Sequence, residues 1–345
     1  MVALKWKVVR TDAELEVPRV DAELREAGAR LVLLPGSVSE AELAREVTDA
    51  DLLLMCYTPI TAMVLATATR LKAIVKYGVG IDAIDIQAAR AHGVPVVNVP
   101  RYAEETVAEG AFFLMLALAK RMKPLQRAME QQGWVWPEER WLGHDLAGKT
   151  LGLVGVGHIG RSMARMAAAF RMRVLGYDPF VADLPVERRD DLGSMIGECD
   201  VVSVHCVLNA GTRHLLGEAE LRRMKPTAFL INVSRGEIVD EQALLRVLQQ
   251  RQIAAAALDV YGREPLNAPG HPLAALYAMD NVVLWPHLCF HTHEALQRLE
   301  DETLQRCFEA LDGKPLSVSS LDPRLRAQAL GVRFVESASE NLGKR

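Results

Sequence analysis

A mixed α/β architecture with two doubly wound parallel sheets is predicted by three features of the sequence. Short apolar runs recur along the chain, most of them followed by a segment of helical periodicity. The 345 residues are long for one core, and a 50% hydrophobic content suffices for two interiors. Near the middle, a glycine-rich turn, Gly155-Val156-Gly157-His158-Ile159-Gly160, separates an apolar run from a helical pattern.

In chain order, strands are expected at residues 7–10, 31–34, 51–55, 73–76 and 94–97, with helices near 18–27, 39–47, 61–69 and 82–91. That alternation predicts a parallel sheet covered on both faces. A long helical pattern follows over 104–131, and then an aromatic, charged excursion over 134–144. The second series of strands is expected at 151–154, 173–177, 201–205, 228–233, 254–260 and 282–285. A helix over about 293–311 has no sheet of its own to cover, so the carboxyl end should return to the first domain. The expected division is 1–103 with 292–345 as one discontinuous domain, and 104–291 inserted in it. The tail after Pro323 shows no pattern and is expected to be partly mobile.

Composition narrows the function. A net charge of −4 with no basic run gives no electrostatic footprint for nucleic acid or an anionic membrane. The first residues are too polar for a signal peptide, and the longest apolar run, 111–119, is too short to span a bilayer, so a cytoplasmic protein is expected. The five cysteines are scattered and mostly lie in apolar segments, as reduced core thiols do. His287, Cys289, His291 and His293 alternate, but they follow Trp285-Pro286, where an extended segment gives way to a turn and a helix. Alternating residues share a face only on a strand, so no metal site is assigned.

The glycine turn reads as a dinucleotide site. Gly155 allows a tight turn after the strand, Gly157 leaves no side chain between backbone and pyrophosphate, and Gly160 lets the following helix pack closely. That helix buries Ile159, Met163, Met166, Ala167 and Phe170 on one face, and its start offers free N–H groups to an anion. Asp178, 18 residues beyond Gly160, closes the next strand. Its carboxylate can accept from ribose hydroxyls and repels a 2′-phosphate, which favours NAD over NADP. Arg235, Glu264 and His287 also fall at or just beyond strand ends, where an open parallel sheet presents its ligand crevice.

With these motifs the sequence resembles the D-isomer-specific 2-hydroxyacid dehydrogenases, over about residues 50–315. The resemblance rests on Tyr77-Gly78-Val79-Gly80-Ile81-Asp82, Asn98-Val99-Pro100 with Val107-Ala108-Glu109, the glycine turn, Asn232-Val233-Ser234-Arg235-Gly236 with Val239-Asp240, Ala257-Leu258-Asp259-Val260 with Glu264-Pro265, and Pro286-His287. It implies a Rossmann dinucleotide-binding domain inserted in a flavodoxin-like substrate domain, NAD as cofactor, a small 2-oxo or 2-hydroxy acid as substrate, and a homodimer. It further implies that His287 is the acid/base, Glu264 its carboxylate partner and Arg235 the ligand of the substrate carboxylate, with Val79, Gly80 and Tyr102 completing the substrate site. Thr106, Gly155, Gly157, His158, Ile159, Gly160, Asp178, Cys206, Val233, Ser234, Asp259 and His287 would line the cofactor, Asp259 facing the nicotinamide carboxamide.

The chemistry needs these residue types in any case. Reduction of a 2-oxo acid builds an alkoxide that a protonated imidazole neutralises, and neutral His287 takes the proton back in the reverse direction. Glu264 favours the imidazolium and fixes its orientation, and the Arg235 guanidinium matches both oxygens of a carboxylate. Leu288-Cys289-Phe290-His291-Thr292 and Asn98-Val99-Pro100-Arg101-Tyr102 resemble the C-terminal-binding-protein-like subgroup, which leaves an NAD(H)-sensing, corepressor-like protein with residual dehydrogenase activity as the alternative. Val207 stands where the family usually has Pro. Trp285, beside the base, predicts a narrower, more apolar pocket. Lys76, Arg101 and Tyr102 could serve a second anionic group or could be solvated charges and a packing ring. The expected dimer contact is residues 104–131, apolar all round over 111–119, with Trp134, Trp136 and Trp141.

Overall fold

Parallel strands alternating with helices build both units of the computed structural model, which describes residues 5–335. One unit comprises Met1–Ala103 and Thr292–Arg345, the other Glu104–His291. The first unit opens with β1 (Trp6–Arg10), α1 (Pro18–Glu26), β2 (Ala29–Leu33), α2 (Glu40–Val47), β3 (Leu52–Met55), α3 (Ala62–Thr67), β4 (Ala73–Lys76), α4 (Ile86–Ala91) and β5 (Val96–Asn98). Its five strands are parallel in the order β2-β1-β3-β4-β5, the flavodoxin-like order. β3 and β4 are buried at every residue, as strands covered on both faces must be. Helix starts are set by side-chain oxygens: Ser39 accepts from Glu42 N–H and Asp85 from Ala88 N–H. The Asp85 cap is why the expected helix over 82–91 begins only at Ile86.

The second unit begins with α5 (Glu104–Ala119) and α6 (Met122–Gln132), where one helix was expected over 104–131. Arg121 takes a left-handed backbone, φ +53°, and separates them. Pro124 gives the reason: it has no N–H to continue a helical ladder, and it fits the first turn of a new helix. The segment after α6 has no regular structure beyond a single turn at Glu139–Trp141. β6 (Thr150–Val154), α7 (His158–Ala169), β7 (Arg173–Tyr177), β8 (Glu187–Arg188), α8 (Leu192–Glu198), β9 (Val201–Val204), α9 (Glu218–Leu221), β10 (Phe229–Asn232), α10 (Glu241–Gln249), β11 (Ala255–Leu258) and β12 (Val282–Leu284) follow. The seven strands run in parallel in the order β12-β11-β10-β9-β6-β7-β8. β8 was not expected; two residues carry no periodicity.

Each face of this sheet has its own core. Leu230 of β10 and Ala256 and Leu258 of β11 point into a cluster with α8 and α10, while Phe229, Ile231, Ala255 and Ala257 point to a cluster with α5 and α7. Alternate residues of one apolar run thus serve opposite cores. The strand order reverses between β6 and β9, so the crevice of the sheet lies at their carboxyl ends.

In the first unit, α11 (His293–Leu311), capped by Thr292, packs on α1, β3 and β4. β13 (Leu316–Val318), α12 (Pro323–Arg326) and β14 (Val332–Phe334) complete it. The region after Pro323 therefore holds a helix and a strand; the remainder of that expectation, on residues 336–345, lies outside the described residues. Among the described residues no helix is long and apolar enough to cross a membrane.

At the edge of β5 one side chain pairs both outward backbone groups of Val96. Gln328 Oε1 accepts from Val96 N–H at 2.7 Å, and its Nε2 donates to Val96 C=O at 2.9 Å and Leu325 C=O at 3.0 Å. Gln328→Met keeps the bulk and leaves both Val96 groups unpaired. A loss of about 2 kcal/mol is expected, read as a lower urea midpoint with an unchanged slope. An unchanged midpoint would show that this edge needs no cap.

Candidate active site

At the crevice of the seven-stranded sheet the three turn glycines are needed for three different reasons. Gly155 has φ +92°, and a Cβ there would lie 2.6 Å from Cys206 N, so the turn can meet the chain leaving β9 only as glycine. A Cβ on Gly160 would lie 2.4 Å from Gly155 C=O. Gly157 has no atom within 4 Å of its missing Cβ, so the space beside it is open. It is the N-cap of α7 without a side-chain cap, which leaves the start of a 12-residue helix turned to that space. Such a cradle fits a pyrophosphate.

Asp178 closes β7 and is held by the turn itself. Its Oδ2 accepts from Val156 N–H at 2.9 Å, and its Oδ1 from Phe180 and Val181 N–H at 3.0 and 3.3 Å. Arg161 folds back on the same turn, donating to Val156 and Asp183 C=O. Behind the turn, His205 Nε2 lies 2.9 Å from Ser203 Oγ. Burial lowers the His205 pKa to about 4. Burial also pushes the Cys206 thiol up to about 12, and Ser234 Oγ donates to Cys206 C=O. Val233 is buried beside Ser234, and Thr106 is buried in the first turn of α5.

The catalytic candidates of this unit stand on the three loops that follow β10, β11 and β12. After β10, Asn232 Nδ2 donates to Arg235 C=O at 3.0 Å and its Oδ1 accepts from Ser234 N–H at 3.1 Å, which fixes the turn that carries Arg235. Gly236 follows; a Cβ there would sit 2.0 Å from the Tyr261 carbonyl carbon, so this loop meets the loop after β11 backbone to backbone. That second loop carries Glu264. Its Oε1 accepts from Tyr261 N–H at 3.0 Å, and its Oε2 lies 2.8 Å from His287 Nδ1. Burial works to raise the Glu264 pKa, but His287, the Tyr261 N–H and the Arg235 charge together hold it below the usual carboxylate value. Gly262 N–H donates to Glu241, and His271 Nε2 lies 2.8 Å from Arg263 C=O, so the loop is latched at the two residues just before Glu264.

His287 itself has a left-handed backbone, φ +57°. The reason is visible in the next residues: Leu288 and Cys289 N–H donate to Asp259 at 2.9 and 3.2 Å. Asp259, expected on the nicotinamide, is 2% exposed, and its two oxygens anchor the loop of His287. Burial raises its pKa. Trp285, expected to narrow the pocket, has its ring packed edge-on against Phe113 of α5, with centroids 5.5 Å apart. The sequence motifs include Asn232 and Gly236 without showing their role, and nothing in the pattern marks Tyr261 or Gly110. A Cβ on Gly110 would lie 2.6 Å from Cys289 Cβ, so α5 fits against the His287 loop only through a glycine.

The expected substrate residues of the other unit lie at the carboxyl edge of its own sheet. Val79 is exposed and its C=O accepts from Asn98 Nδ2 at 2.6 Å, Gly80 follows it half-buried, and Tyr102 is buried with its C=O accepting from Arg298 at 2.7 Å.

Comparison with known proteins places the chain in a family. The family described as D-isomer specific 2-hydroxyacid dehydrogenase, NAD binding domain, matches residues 112–289. The chain is 40% identical over 271 residues to a glyoxylate reductase of Korarchaeum cryptofilum, covering 76% of this chain and 80% of that protein. It is 36% identical over 275 residues to a hydroxypyruvate reductase of Thermotoga maritima, covering 78% and 88%. Among solved structures, D-lactate dehydrogenase from Aquifex aeolicus, complexed with NAD and lactic acid, superposes with a TM-score of 0.80 at 29% identity, covering 89% of this chain and 96% of that one.

His205 gives this site a pH-dependent stability. Its folded pKa is depressed, so between about pH 6.5 and 4 the unfolded chain binds a proton that the folded chain does not. Its contribution is full above that window and is lost as pH falls through it. A His205→Asn variant should lose up to about 3 kcal/mol less stability than the parent between pH 7 and 4. Denaturant midpoints at both pH values check this; parallel pH dependences would remove His205 as the cause.

Proposed function

Because the chain belongs to the D-isomer-specific 2-hydroxyacid dehydrogenases, we propose that it interconverts a small D-2-hydroxy acid and its 2-oxo acid with NAD(H). The observation that carries the reading is the 2.8 Å contact of His287 Nδ1 with Glu264, whose loop closes against the turn of Arg235. The Gly155–Gly160 turn and α7 would hold the pyrophosphate and Asp178 the ribose hydroxyls. The bound cofactor supplies or accepts the hydride at the substrate's C2.

This chain's residues do the rest. Arg235 binds the substrate carboxylate in one plane and polarises the neighbouring carbonyl. Since Nδ1 of His287 faces Glu264, Nε2 is the nitrogen that exchanges the proton with the substrate oxygen. Glu264 Oε2, 2.8 Å from Nδ1, holds the ring in place. Asp259 keeps the loop in place through two N–H groups. Val79 and Gly80 offer backbone N–H groups to the carboxylate. The five free thiols suit a cytoplasmic address.

A panel of glyoxylate, hydroxypyruvate and pyruvate with NADH tests the activity, and turnover of at least one is expected. His287→Ala should lower kcat by a hundredfold or more, and Arg235→Ala should raise KM and lower kcat/KM. Glu264→Gln should lower kcat about tenfold with KM nearly kept, because the ring loses the carboxylate that orients it. Full kcat in His287→Ala, with proton transfer shown to limit the parent's rate, would overturn the acid/base role.

The same reading includes a homodimer through α5, α6 and the segment after them. Trp134 and Trp136 are 64% and 73% exposed and stand edge-to-face at 6.3 Å, and Leu142 is 68% exposed. An apolar surface of this kind is what a symmetric partner covers. Sedimentation at micromolar concentration should give a dimer, and the double change Trp134→Ser with Trp136→Ser a monomer. A monodisperse monomer of the unmodified protein would refute this contact.

A further inference from the structure

At the amino ends of β10, β11 and β12, opposite the crevice, the second unit holds a cavity of about 70 Å³. Arg121, Lys123, His144, Phe229, Arg251 and Asp280 are among its lining residues. The two arginines reach it from the ends of two helices, and both stand on backbone that favours glycine. Arg121 follows α5 at φ +53°, its N–H donating to Leu118 C=O at 3.1 Å, and Arg251 follows α10 at φ +55°, its N–H donating to Leu248 C=O at 3.2 Å. A left-handed residue just past a helix end is most easily glycine or asparagine. Other residues held in that conformation gather at ligand clamps, where the strain has a use.

Neither guanidinium has a partner in the protein. Among the described residues no carboxylate lies within 4.0 Å of Arg121 or Arg251, and neither side chain donates a hydrogen bond. The Nε of Arg121 is moreover buried without an acceptor, an expensive state for a charged group. Lys123 brings a third cation. Its Nζ donates to the carbonyls of Met279, Val282 and Tyr277 at 2.7, 2.9 and 3.4 Å, neutral groups that leave its charge uncancelled. The one carboxylate among the lining residues, Asp280, is already paired with Arg127 at 2.8 Å. Three cations thus border one small space without a carboxylate left to offset them.

We propose that this cavity binds one phosphoryl group, free or carried by a small molecule, through the guanidinium groups of Arg121 and Arg251. A guanidinium presents paired N–H groups that match two oxygens of a phosphate, and a dianion offsets more of the excess charge than a carboxylate does. The inference goes beyond the dehydrogenase reading. The cavity lies at the far ends of the strands that lead to Arg235, Glu264 and His287, so its occupant takes no part in hydride or proton transfer.

The experiment titrates inorganic phosphate, and separately glycerol 3-phosphate, into the protein saturated with NADH, so that the Gly155–Gly160 turn is occupied, at constant ionic strength in a calorimeter. One site per chain is expected, with acetate at least tenfold weaker, and the tighter of the two phosphates names the source of the phosphoryl group. Arg121→Gly and Arg251→Gly suit the left-handed backbone and should weaken phosphate tenfold or more, and Arg251→Gln, which keeps the bulk, should do the same. NADH binding and 2-oxo acid turnover without phosphate should stay within twofold of the unmodified protein in all three. Absence of a phosphate site, or equal binding by the unmodified protein and the variants, would overturn the proposal. So would a monomeric variant of a dimeric parent, because the arginines would then serve the subunit contact. Loss of NADH binding in all three variants would make them folding residues and overturn it as well. If the unmodified protein does not bind NADH, the dehydrogenase reading falls, and its phosphate affinity against that of the variants still decides for the cavity.

Discussion

Backbone-to-backbone approach at the carboxyl edge of the seven-stranded sheet is the constraint on which the site depends. Gly155 meets Cys206 N and Gly236 meets the Tyr261 carbonyl at distances that no Cβ permits. These contacts bring the ends of β6, β9, β10 and β11 together, so that polar groups from separate loops can share hydrogen bonds. Each loop is then held by a hydrogen bond between a side chain and the backbone: Asn232 Nδ2 donates to Arg235 C=O, Glu264 accepts from Tyr261 N–H, and Asp259 accepts from Leu288 N–H in the loop of His287. The functional side chains are therefore positioned by backbone groups, which have few alternative arrangements.

The fold was legible because both signals it needs are periodic. Apolar runs such as 52–55 and 73–76 are too short for helices, and the segments between them repeat at helical spacing. Where the reading failed, the deciding element was local. Pro124 marked the break after α5, yet the apolar pattern continues across it and masked the signal. β8 and β14 are held by neighbours rather than by their own pattern, so nothing in their residues announced them.

The site was legible in its residue types and less so in their roles. Arg235, Glu264 and His287 could be found because strand ends are where a parallel sheet presents chemistry, and a motif order made their grouping specific. Asp259 shows the limit. An acidic residue at a strand end suggests a ligand contact; that its two oxygens also accept from the N–H groups of Leu288 and Cys289, some thirty residues on, is not written in the strand. Gly110 was silent for another reason: a glycine inside a helix shows its purpose only when the element packed on it, here the Cys289 loop, is known.

The Gln328 amide that pairs with Val96 at the edge of β5 ties two parts of the chain 232 residues apart. During synthesis β5 leaves the ribosome long before its cap exists, and the whole inserted unit is made in between. At ordinary elongation rates that interval is on the order of ten to forty-five seconds. For that time the Val96 N–H and C=O stand open on a sheet edge, the kind of edge on which another chain can add a strand. The first unit is thus the earlier to be started and the later to be finished, and its exposure to strand addition is set by the length of what is inserted in it.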